Sequence, residues 1–193
     1  WTAWNWLSGG QFVEQIVHTI DGMVWSMNEQ LPLAAFGSGG RAQRRDDGDV
    51  WDHYDVYFEY DHNVAAHISC RQWVGCHGEI VDRTVCEKGM LVTPYRPHIQ
   101  ADKRWRFRGE RGNMYADTHV AFYRFLRSGT WKQTLESAAN KTLVAIMGRE
   151  AAHTGQRITW EQIKKSATRL VPEDLTMDTP LPPARIPRPG RAA

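Results

Sequence analysis

The stretch His53-Tyr54-Asp55-Val56-Tyr57-Phe58-Glu59-Tyr60 sets the architecture. Its side chains alternate with a period of two, as on a strand with one buried face. Asp61-His62-Asn63 reads as a turn, and residues 64–73 as the strand that returns beside it. Upstream, residues 11–27 have helical periodicity, Asn28 to Pro32 break it, and residues 33–36 read as a strand ending in Gly37-Ser38-Gly39-Gly40. A polar loop, 41–49, leads back to the hairpin. Downstream, residues 79–87, 90–93 and 104–108 are further strands, with Lys88-Gly89 as a turn.

After Gly112 the pattern turns helical, over 115–126, 135–153 and 159–167. Gly129 and Gly155 act as C-terminal stops, and Thr159 with Gln162 makes a capping box. One helix, a block of strands, then helices describes an α+β domain. The expected form is an open-faced, mainly antiparallel mixed sheet of about six strands with helices packed on one face. Its other face carries Tyr57, Trp73 and Val85, and so much exposed apolar surface predicts a homo-oligomer. From Pro172 the composition turns to proline and short polar residues. The run Pro180-Leu181-Pro182-Pro183-Ala184-Arg185-Ile186-Pro187 reads as an extended tail.

At 193 residues, 41% hydrophobic and 24% charged, the chain can build one domain with a real core. The net charge is only +2, and Arg41, Arg44 and Arg45 are followed at once by Asp46, Asp47 and Asp49. That local cancellation argues against a nucleic-acid partner. No apolar run approaches the roughly 18 residues of a membrane span, and no signal peptide is visible. Cys70, Cys76 and Cys86 are too few for a disulfide framework and contain no C-x-x-C pair, so they are expected as buried thiols in strands. The chain begins at Trp1 and enters a helix almost at once, which reads as a piece of something longer. A cytoplasmic location is expected, or a periplasmic one if an export signal precedes these residues.

The chemistry concentrates in Gly9-Gly10-Gln11-Phe12-Val13-Glu14-Gln15-Ile16-Val17-His18-Thr19-Ile20-Asp21. A glycine pair opens a helix whose Glu14, His18 and Asp21 are spaced to share one face. A carboxylate beside an imidazole is a common pairing for moving protons near neutral pH. Two other readings stay open. Glu14 and His18 would begin a metal site if Asp52, His53 or His119 completed it, or His18 would join an internal hydrogen-bond network. Asp52-His53 is a second acid–base pair at a strand start, where a site border and a turn-stabilising aspartate fit equally. Asn5, Trp4 and Trp6 suit the mouth of a sugar-binding cleft, or simply the core. Gly37-Ser38-Gly39-Gly40-Arg41-Ala42 matches a dinucleotide-loop pattern, but residues 43–49 offer no helix to hold a pyrophosphate. It reads as a glycine-rich strand end.

Gly9-Gly10-x-x-x-Glu14-x-x-x-His18-x-x-Asp21 resembles the G-G-x-x-x-D-x-G-x-H-x-x-D segment of the Gfo/Idh/MocA oxidoreductases, the glucose-fructose oxidoreductase and inositol dehydrogenase family. The resemblance extends to Gly39-Gly40-Arg41, to the Asp52-His53 strand, and to His153-Thr154-Gly155-Gln156 with Ile158-Thr159-Trp160-Glu161. It implies the family's C-terminal domain over residues 1–171, which holds substrate and builds the oligomer, and a Pro-rich tail over 172–193. The family's Rossmann domain, with its Glu-Lys-Pro motif, lies outside these residues.

The resemblance further implies NAD or NADP bound mainly by that missing domain, and a sugar or polyol substrate facing the His-bearing helix. His18 would exchange the proton of the reacting hydroxyl, Glu14 would hold a neighbouring hydroxyl and orient the histidine, and Asp21 would support the helix from behind. Asn5, Trp6, Asp52 and His53 are the further candidates for substrate contact. Glu14 stands where the family usually has aspartate, and Ile16 where it often has glycine. The chain alone is expected to be inactive. The alternatives are a non-catalytic interaction module of the same fold and an NAD-dependent enzyme that cleaves glycosides through transient oxidation.

Overall fold

The computed structural model describes residues 1–93, 95–130, 134–180 and 183–190. In chain order its elements are α1 (Asn5–Ser8), α2 (Gln11–Glu14), α3 (Val17–Ser26), β1 (Ala34–Gly40), β2 (His53–Glu59), β3 (Ala65–Arg71), β4 (Asp82–Cys86), β5 (Gly89–Thr93), β6 (His98–Gln100), β7 (Trp105–Arg106), α4 (Met114–Ser128), α5 (Leu135–Thr154), β8 (Ile158–Thr159) and α6 (Trp160–Lys164). The chain divides into two compact units, residues 1–76 with 137–193, and residues 77–136.

The first unit holds an antiparallel sheet in the order β3-β2-β1-β8. The period of two in residues 53–60 is realised on β2. Tyr54, Val56 and Phe58 are buried while Asp55 and Tyr57 face out. On β3, Cys70, Ile68 and Ala66 stand opposite those three, closing the hairpin. Helices α2, α3 and α5 cover the inner face with Phe12, Ile20, Val24, Val144, Met147 and Ala151. Burying each large apolar side chain stabilises the fold by about 1.5–3 kcal/mol. A Cβ on Gly148, in the middle of α5, would lie 2.6 Å from the Phe12 ring and 2.8 Å from the Phe58 ring. Glycine there lets the helix approach the sheet, against its poor helix propensity.

Strand β1 is longer than the sequence predicts. Its glycines are needed for close approach: a Cβ on Gly39 would meet the His53 carbonyl oxygen at 2.4 Å and the Trp51 ring at 2.9 Å. Residues Gly37 to Gly40 pair with Val56 to His53 in the ladder, as a strand end does. The helix expected over 11–27 is broken at Gln15 and Ile16. There Ile16 N–H donates to Gln11 O, five residues back, and His18 N–H to Gln15 O, three back. One wide turn followed by one tight turn separates α2 from α3. The Thr159–Gln162 capping box is present, although α6 is shorter than the periodicity suggests.

The second unit is an antiparallel meander, β4-β5-β6-β7, followed by α4, which Asn113 caps and Gly129 ends with a left-handed φ of 66°. None of the α4 residues is buried. The α+β, open, antiparallel character matches the expectation, with the strands shared between two sheets of four. Of the cysteines, Cys70 is a half-buried thiol in a strand, and burial pushes it up to about 12. Cys76 and Cys86 are exposed, against the expectation. Trp73 does not join the outer face either, because its indole N–H turns to Asp52 at 3.0 Å. The apolar part of that face is Phe36 and Tyr57, paired across the strands with ring centroids 5.1 Å apart. Leu181 and Pro182 of the expected tail lie outside the described residues. No helix among those described is long and apolar enough to cross a membrane.

Candidate active site

Gly9 and Gly10 form the turn between α1 and α2, with φ of 75° and 77°. Only glycine fits this left-handed backbone without strain. Space is short as well: a Cβ on Gly9 would lie 2.7 Å from Val13 Cβ, and one on Gly10 2.8 Å from Asn5 Oδ1. Asn5 is buried, with its amide N–H on Asp49 Oδ1 at 2.7 Å and its side-chain Nδ2 on Asp49 O at 3.2 Å. That leaves Asn5 Oδ1 a buried acceptor with no donor among the described residues.

A polar cluster that sequence reasoning missed lies beneath the turn. Arg149 on α5 is buried, and its Nη1 donates to Gly9 O at 3.2 Å while Nε and Nη2 grip Glu150 Oε1. Tyr54 Oη lies 3.0 Å from His153 Nε2, and the His153 ring meets Trp51 edge-on with centroids 4.5 Å apart. Burial pushes the His153 imidazole down to about 3, and the Arg149 charge acts in the same direction. Burial also raises the Tyr54 phenol. Both groups are therefore neutral at pH 7, and Arg149 braces the turn through Gly9 O.

The three-residue stripe is not one hydrogen-bonded unit. Glu14 Oε2 accepts from its neighbour Gln15 at 2.6 Å. Asp21 Oδ1 is held by Lys141 Nζ of α5 at 2.6 Å, and the same ammonium sits 3.1 Å from Glu29. His18 is exposed, and none of the described side chains hydrogen-bonds its ring. Trp6 is half-buried on α1.

Asp52 is fully buried and ringed by donors. Its Oδ1 accepts from Ala42 N, His53 Nδ1 and Trp73 Nε1 at 3.0, 2.8 and 3.0 Å. Its Oδ2 accepts from the amides of Ala42, Gln43 and Arg44 at 2.9, 2.7 and 2.9 Å. Burial opposes the charge, but the hydrogen bonds from His53, Trp73 and the loop amides outweigh it and hold the carboxyl well below the usual range. Of the two readings of Asp52-His53, this geometry favours the loop-organising carboxylate. His53 stays partly open to solvent beside Gly40.

Among the described residues no three His, Cys, Asp or Glu side chains gather as metal ligands. With Gly37–Gly40 committed to the sheet ladder, the glycine run offers no dinucleotide cradle either.

No protein-family model and no curated protein matches this sequence. Solved structures do. A putative oxidoreductase from Thermotoga maritima is similar at 21% identity and a TM-score of 0.60, over 74% of this chain and 45% of that one. An aldose-aldose oxidoreductase from Caulobacter crescentus, complexed with glycerol, aligns with a TM-score of 0.66 at 13% identity, over 82% and 50%. The WlbA dehydrogenase from Bordetella pertussis, in complex with NADH and UDP-GlcNAcA, gives 0.51 at 14% identity, over 77% and 44%. What they share with this chain is the fold. The chain spans half or less of the length of each of these structures.

Proposed function

We propose that the chain is the substrate-binding and oligomerisation domain of a Gfo/Idh/MocA-type oxidoreductase, acting on a sugar or polyol hydroxyl by hydride transfer. The observation that carries the reading is His18: an exposed imidazole with no hydrogen-bond partner among the described residues, four residues beyond Glu14, on a helical segment entered through a braced Gly9-Gly10 turn. An imidazole left free of protein hydrogen bonds is available to take a hydroxyl proton and return it. The fold likeness to oxidoreductases, one of them complexed with glycerol and another with NADH, supports the same assignment.

NAD or NADP would be held mainly by a Rossmann domain outside these residues, and would supply the hydride acceptor. This chain works on the alcohol side. His18 removes the hydroxyl proton as the carbon is oxidised, and Glu14 holds an adjacent hydroxyl. Asn5 and the half-buried Trp6, both on α1 just before the glycine turn, are assigned to further polyol contact. Asp21, through Lys141, and Asp52, through the 42–44 loop, act as supports. The face bearing Phe36 and Tyr57 is assigned to a second copy of the chain.

The test is turnover of polyols by the domain joined to its dinucleotide-binding partner domain. His18→Ala is expected to lower kcat by about 10²-fold or more, the usual scale of general acid–base help. Unchanged turnover removes His18 from the mechanism and the proposal with it.

A further inference from the structure

A groove of about 430 Å³ lies at one end of the first unit, between the 41–50 loop and the 186–189 segment. Four arginines line it, Arg41, Arg44, Arg45 and Arg188, and among the described residues no aspartate or glutamate does. The sequence alone suggests that the acidic run Asp46 to Asp49 cancels this charge. The structure distributes that cancellation unevenly. Arg41 is spent on the loop itself, bonded to the Gly48 and Asp46 carbonyl oxygens and to Asp46 Oδ1. Arg44 uses its Nε on Asp46 Oδ2 at 2.6 Å. Among the described residues, Arg45 bonds two backbone carbonyl oxygens, those of Ala42 and Arg44, through one nitrogen. Arg188 has no hydrogen-bond or ion-pair partner among the described residues.

Both walls are fixed in place. Asp52 pins the amides of residues 42–44, and the Trp51 indole N–H donates to Pro187 O at 3.2 Å. Gly190 N–H reaches Thr154 O at 3.1 Å, securing the far end of the tail segment. Each wall thus presents a guanidinium with free donors from a braced backbone: Arg45 with one nitrogen engaged, and Arg188 with none engaged among the described residues. A ligand that satisfies both needs several acceptor oxygens and more than one negative charge, which describes a phosphate better than a single carboxylate. The volume suits a small molecule, not a polymer.

We propose that this groove binds a phosphorylated small molecule, gripped by Arg45 and Arg188 from opposite walls. The proposal does not rest on the oxidoreductase reading. The experiment is calorimetric titration of the 193-residue chain with inorganic pyrophosphate at low salt. Saturable binding is expected with Kd below about 1 mM. The double variant Arg45→Ala/Arg188→Ala should weaken it by at least about tenfold, the loss of a charge-assisted contact from each wall. Arg188→Ala alone, which removes no hydrogen bond or ion pair among the described residues, gives a smaller loss and guards against a folding defect. Competition then separates the sources: displacement of pyrophosphate by ADP points to a nucleoside diphosphate, and by a hexose phosphate to a phosphosugar. Absence of saturable heat up to about 10 mM pyrophosphate overturns the proposal. So does equal binding by the double variant, or failure of both competitors.

Discussion

Replacing Asp52 with asparagine changes one atom and should cost the fold heavily. Both carboxylate oxygens of Asp52 face donors alone: three on Oδ1 and three on Oδ2, with the Ala42 amide shared. An asparagine can place its oxygen on one side only. Its NH₂ then faces two or three donors in a site closed to water, and they lose their acceptor. Each orphaned buried donor costs about 1–3 kcal/mol, so two give roughly 2–6 kcal/mol, a large fraction of a typical domain stability. Urea unfolding of the two chains at pH 7 measures the difference directly. A loss below about 0.5 kcal/mol, the range of an ordinary surface change, refutes the reasoning.

The same variant carries its own pH control. The Asp52 carboxyl in the folded chain lies below its unfolded value. Its contribution is therefore complete above the unfolded pKa, about 3.9, and is lost as pH falls further toward the folded one. The gap between native and Asp52→Asn should hold from pH 7 to about 5 and narrow below about 4. A gap that does not change with acid would mean the charge of Asp52 is not what the loop depends on.

Two other outcomes follow from packing. A Cβ at Gly148 collides with the Phe12 and Phe58 rings, whereas at Gly22 on α3 it meets nothing within 4 Å. Gly148→Ala should lose about 1–3 kcal/mol to overpacking, more than the helix propensity it gains, and lower Tm by several degrees. Gly22→Ala should gain about 0.5–1 kcal/mol, and thermal scans showing both changes with the same sign would contradict the placement of α5. Sedimentation at micromolar concentration should find the chain a dimer or larger, with Phe36→Lys/Tyr57→Lys shifting it to monomer; a monomeric native chain sinks the assignment of the outer sheet face.

The elements visible in the sequence are those whose signals are local. The β2–β3 hairpin follows from side-chain alternation, the start of α6 from Thr159 and Gln162, and the ends of α4 and α5 from Gly129 and Gly155. The break at Gln15 and Ile16 was hidden because the apolar spacing runs through it unbroken; only the backbone pairing reveals it. Strand β6 was missed because it is three residues long, directly after Pro97.

The candidate site divides in the same way. The glycine pair and the positions of Glu14 and His18 are legible from residue type and spacing, because α2 and α3 are built from neighbours in the chain. What braces them is not. Arg149 reaches Gly9 from 140 residues away, His153 meets Tyr54 across 99, and Trp51 bonds Pro187 across 136. Sequence supplies an aspartate beside a histidine at 52–53; folding surrounds that aspartate with six hydrogen bonds and turns it from a candidate ligand into the anchor of a loop. Periodicity and turn chemistry act over a few residues, and so they can be read along the chain. Which buried charge finds a partner depends on contacts that exist only once distant segments have packed.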